Sequence, residues 1–175
     1  MPDNIEINYV FDENRISREN GGALQVIING QRLNKYVNEE ELNNGKWNEY
    51  SGDFLYGDLY DLLEKTVNIA SKPKIYETHE VRFAGYDDYI ILEYLGNNKI
   101  RVAFRIFQDS SEDSSHYCAK PSSACGYTVD IKNWIEALEE TVKDYQEDLR
   151  HHDTRDSDEW YDSEIKELND IKNKY

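Results

Sequence analysis

The chain has 175 residues, with 36 Asp and Glu against 20 Lys and Arg and a formal net charge of -16. That length suits one domain with a proper core, and 38% hydrophobic and 13% aromatic residues exclude a disordered acidic tail, which lacks rings to pack. The charge opposes nucleic acid and anionic lipid as direct partners, and no apolar run approaches the roughly 20 residues of a bilayer-spanning helix.

Met1 to Phe11 carries no basic stretch followed by an apolar run, so no secretory signal is read there. Ile5, Ile7, Tyr9 and Phe11 alternate with more polar positions, which predicts a strand. After a loop over Asn14 to Gly22, a second strand is expected from Ala23 to Ile28 and a third from Gln31 to Val37. Asn29-Gly30 between them is the pair that a type I′ hairpin turn prefers, because both turn residues need positive φ. Asn38 to Asp53 reads as loop, with Trp47 and Tyr50 either packing it onto the core or anchoring a partner. Leu55, Leu59, Leu62, Leu63, Val67 and Ala70 have the rhythm of an amphipathic helix. Asp58, Asp61, Glu64 and Lys65 are assigned to its opposite face, and Pro73 to its end.

Three strands are expected next. The first runs from Ile75 to Phe83, with Ile75, Val81 and Phe83 on one face. His79 shares that face and is read as a half-buried packing residue, although Glu77 and Glu80 beside it resemble the neighbours of a general base. Tyr89 to Leu95 and Ile100 to Phe107 form a hairpin around Gly96-Asn97-Asn98. A three-residue loop pairs Tyr94 with Ile100, Leu92 with Val102 and Ile90 with Phe104, and sets Glu93 opposite Arg101. A two-residue turn would set Glu93 against Val102 and mix the faces, so the longer loop is preferred.

Gln108 to Gly126 is rich in Ser, Asp and Glu and is expected to be a mobile loop. It holds His116 and both cysteines, Cys118 and Cys125. Two cysteines make no disulfide framework, so a reduced, cytoplasmic protein is expected. Zinc would require His151 or His152 to return from the far end of the following helix, so no metal or other cofactor is expected. Whether the cysteines pair stays open.

Thr128 or Asp130 is expected to cap a long helix. Its apolar stripe is Ile131, Trp134, Ile135, Leu138, Val142, Tyr145 and Leu149, and its other surface is assigned to Glu136, Glu139, Glu140, Asp144, Glu147 and Asp148. His151 to Ser157 breaks the helix, and a last one carries Tyr161, Ile165, Leu168, Ile171 or Lys172, and Tyr175. The fold class is α+β: a mainly antiparallel sheet packed against two long helices, with a C-terminal helical extension. Residues 1–150 form the domain and residues 151–175 the acidic extension.

Glu136 with Glu140, and Glu140 with Asp144, are like-charge pairs at i, i+4, which weaken a helix by a few tenths of a kcal/mol each. Such a face is either a solvated surface or a binding surface for something basic. Carboxylates on successive turns lie about 5–6 Å apart, near the spacing of phosphates along a strand. No Gly-rich phosphate loop, G-x-S-x-G elbow or H-E-x-x-H is present.

The Asn29-Gly30 hairpin, the helix Leu55-Tyr56-Gly57-Asp58-Leu59-Tyr60-Asp61-Leu62-Leu63, the strand texture of Val81-Arg82-Phe83 and Lys99-Ile100-Arg101-Val102-Ala103-Phe104, and the long acidic helix occur in that order. Over residues 5 to 150 this resembles the small acidic immunity proteins of bacterial polymorphic-toxin and contact-dependent inhibition systems. The resemblance implies a non-catalytic protein that binds a basic toxin, such as a nuclease, and blocks its active site or substrate access. It carries over no catalytic residue, and Asp158 to Lys174 lies beyond it. Contact residues are expected among Glu136, Glu140, Asp144, Glu147, Trp47 and Tyr50. The alternatives are a phage-type acidic or DNA-mimicking inhibitor of a defence or DNA-processing enzyme, and a small enzyme using carboxylates.

Overall fold

A computed structural model describes residues 3–11, 21–33, 50–52, 54–83, 88–106, 126–151 and 158–175. The alternation at the N-terminus becomes β1 (Ile5–Phe11), which pairs antiparallel with β2 (Gly22–Ile28), Ile5 opposite Ile28 and Phe11 opposite Gly22. Asn29 and Gly30 both have positive φ, 53° and 76°, as a type I′ turn requires. The returning strand β3 spans only Gln31–Arg32. Leu33 is buried and still donates its N–H to the Val26 carbonyl at 2.7 Å, and the rest of the expected third strand lies outside the described residues. So do most of the expected loops at 14–22 and 38–53; of their residues 21–22 and 50–52 are described, with Gly22 in β2 and Ser51 bridged to Leu24.

Helix α1 (Leu55–Ser71) ends just before Pro73 and buries Leu55, Leu59, Leu62, Leu63, Val67 and Ala70. Asp58, expected on its outer face, is buried. The Gly52 backbone lies against its carboxylate, and its charge acts on the buried Tyr161 phenol, so the chain covers a flank that helical periodicity assigns to water.

The strand expected from Ile75 begins later, as β4 (Thr78–Arg82). Lys74 to Glu77 is a turn, closed by the Glu77 N–H on the Lys74 carbonyl at 3.0 Å, and Tyr76 takes φ 65° in it. Ile75 and Tyr76 are therefore 62% and 72% exposed, while Val81 and Phe83 are buried. Strands β5 (Asp88–Gly96) and β6 (Lys99–Ile106) adopt the argued register: Tyr94 faces Ile100, Leu92 faces Val102, Ile90 faces Phe104 and Glu93 faces Arg101. The means differs. Asn97 and Asn98, at φ 50° and 59°, make a two-residue turn, Gly96 pairs with Lys99, and the register shifts between Tyr94 and Gly96. One bulge residue restores the faces that a two-residue turn alone would exchange.

A short strand that periodicity did not announce, β7 (Tyr127–Asp130), pairs with β6 and runs directly into α2 (Ile131–His151). Asp130, considered as a cap, instead pairs with Lys99 at 2.9 Å, and its N–H donates to the Asp3 carboxylate at 2.9 Å. Among the described residues all strand pairings are antiparallel, in two sheets ordered β1-β2-β3 and β4-β5-β6-β7. The fold class is thus α+β.

The helical part differs from the expected pair with an appendage. Helix α3 (Asp158–Lys172) buries Tyr161, Ile165, Leu168 and Ile171 in the same core as α1 and α2. The Tyr161 hydroxyl donates to the Tyr56 carbonyl, and that of Tyr175 to the Ala70 carbonyl at 2.7 Å. Tyr161 also packs edge-on against Tyr56, Tyr60 and Tyr145. The Trp134 indole N–H donates to Thr66 Oγ1 at 3.0 Å, which ties α2 to α1. Among the described residues no helix is long and apolar enough to cross a membrane.

Candidate interaction surface

The apolar stripe of α2 fixes how its acids point. Ile131, Trp134, Ile135, Leu138, Val142, Tyr145 and Leu149 are all buried, which leaves Glu136, Glu140, Asp144 and Glu147 exposed on the far side. By helical phase these four share an arc of about 80° and extend over roughly 16 Å. Among the described residues no cation pairs with Glu136, Glu140 or Asp144, and Glu147 meets only His151, at 3.9 Å. By helical phase Lys132, Lys143 and Arg150 fall on the same flank as Glu139, which meets Lys172 of α3, and Asp144 falls nearest Thr141 and Asp148, which meet β1.

Two acids assigned to that surface are engaged by partners instead. Glu139 is 6% exposed and pairs with Lys143 one turn on and with Lys172 of α3 at 2.7 Å. Burial pushes its carboxyl up, but hydrogen bonds from Lys143 and Lys172, with their charges, outweigh this and hold it below its ordinary value. Asp148 is half-buried and accepts a 2.6 Å hydrogen bond from the Tyr9 hydroxyl. Burial first, then that bond and the charges of Asp148 and Asp144, hold the Tyr9 phenol well above its usual range. Thr141 Oγ1 donates to the Ile7 carbonyl at 2.8 Å, which satisfies a backbone acceptor on the edge strand β1. The acidic row therefore stands on a helix clamped to α3 on one flank and to β1 on the other.

Of the expected aromatic anchors, Trp47 lies outside the described residues. Tyr50 is half-buried beside the Ser51–Leu24 bridge of the three-stranded sheet, and no hydrogen bond or ring contact among the described residues joins it to the acidic row. Sequence reasoning missed Tyr9 at the rim of the row. Its partner is 139 positions away, and no local pattern signals that pairing.

His79 is half-buried on β4, opposite Leu92 and on the face of Val81. Burial lowers its pKa, Glu77 opposes this, and Lys65 and Lys74 add to the lowering. Asp61 and Glu164 are both raised, chiefly by burial. Asp61 is held by Lys65 at 3.3 Å and takes a hydrogen bond from the Arg82 backbone, whereas Glu164 lies near Glu167 and Glu64. No hydrogen bond among the described residues connects the two acids. His116, Cys118, Cys125 and His152, and the expected mobility of their loops, lie outside the described residues. Among the described residues no three His, Cys, Asp or Glu side chains gather as a metal site. The chain matches no family model, no curated protein and no solved structure.

Proposed function

We propose that the protein is a non-catalytic acidic inhibitor, an immunity protein that neutralises a basic toxin such as a nuclease by covering its substrate-binding surface in the bacterial cytoplasm. The observation that carries this reading is the exposed row Glu136, Glu140, Asp144 and Glu147, left without strong cation partners on a helix anchored along both flanks. A pre-organised row of one sign speeds encounter with the opposite sign and costs little ordering on binding. It also keeps its like-charge repulsion only for as long as no cationic partner is present.

The test uses the purified basic protein encoded beside this chain's gene. The triple variant E136K/E140K/D144K should bind it at least about 100-fold more weakly, with its circular dichroism spectrum unchanged, as loss of several close charge pairs requires. The wild-type association rate should fall steeply between low and physiological salt. Equal affinity of variant and wild type, or a rate insensitive to salt, would remove the acidic row from the interface.

A second reading draws on the carboxylate spacing alone: an acidic mimic of the phosphate backbone that inhibits a defence or DNA-processing enzyme. Competition by a DNA duplex for the same partner surface, and a phage cassette rather than a toxin gene as neighbour, would favour it over the first.

A further inference from the structure

We draw no further inference here: the strongest candidate, the exposed Ile75–Tyr76 pair on the turn between α1 and β4, is only two side chains wide and nothing in the structure shows what covers it.

Discussion

Glu139 shows how one carboxylate can change role between sequence and fold. Its position on α2 marks it as another surface acid, yet it is the joint between α2 and α3. Replacing it with Gln keeps the shape and removes the charge that Lys143 and Lys172 address, and should cost about 1–3 kcal/mol at pH 7. Because its folded pKa lies below the ordinary 4.5, its contribution is fully present above that value and is lost as pH falls through the folded one. Urea midpoints of wild type and E139Q should therefore differ at pH 7 and draw together as the pH is lowered below 4.5; a gap that stays constant would mean that the charge is not what matters. Tyr76 is the opposite case, a residue that works against the fold. Its φ of 65° costs an L-residue on the order of 1–2 kcal/mol, and at 72% exposure it has little packing to lose. Tyr76→Gly should leave stability equal or raise it by up to about 1 kcal/mol, because the unfolded-state freedom of glycine offsets part of the relief. A clear fall in melting temperature would show that the ring is held by more than its turn.

Among the elements, those with strong periodicity were legible and those set by tertiary pairing were not. The leucines of α1, the apolar stripe of α2 and the alternation of β1 each declare a face, because burial repeats with the period of the element. Even the β5–β6 register followed from matching faces across the hairpin, although the bulge that achieves it did not. Strand β7 has only Tyr127 to Asp130 to announce itself and no turn before α2, so nothing local separates it from a helix entrance. Helix α3 was expected as an acidic appendage because its charge is conspicuous and its apolar positions, Tyr161, Ile165, Leu168 and Ile171 among them, are sparse. In the fold those positions bury Tyr161, Ile165, Leu168 and Ile171. The three aliphatic side chains alone represent roughly 5–9 kcal/mol of burial, comparable with the ~5–15 kcal/mol by which domains are stable. A chain ended before Asp158 should thus lose its cooperative thermal transition, as followed by near-ultraviolet circular dichroism. A truncated chain melting within a few degrees of the intact one would contradict that.

At the scale of the molecule, a net charge of -16 is spread unevenly in consequence rather than in count. Asp58, Glu139 and Asp148 are turned inward or tied to partners, and Asp61 and Glu93 are paired with Lys65 and Arg101, while the row on α2 stands exposed to an incoming cationic surface, as do Glu80, Glu167 and Asp170 elsewhere among the described residues. The four acids of that row could be read from helical phase alone. Which of their neighbours are also open could not, since that depends on α3 and β1 arriving from distant parts of the chain. The same unevenness separates two responses to salt. The exposed row is screened within about 8 Å at physiological ionic strength, whereas the buried Glu139 joint is screened much less. Salt that slows partner association should therefore leave the α2–α3 docking intact, and fluorescence melting across the same salt series can be read alongside the binding rates.

The bulge between Tyr94 and Gly96 also bears on how the gene can change length. Within a paired strand, losing one codon moves every later side chain to the other face of the sheet. Leu95 is the single residue that the β5–β6 ladder does not count: with it gone, Gly96 still meets Lys99, Tyr94 still meets Ile100, and the turn at Asn97-Asn98 is untouched. Deletion of Leu95 should accordingly give soluble, folded protein with a modestly lowered melting temperature. Deletion of Glu93, two positions away, should abolish folding. If the two deletions prove equally damaging, the bulge has a role beyond keeping the count. If they differ as expected, the hairpin carries one position at which a lineage can gain or lose a residue without rebuilding its core.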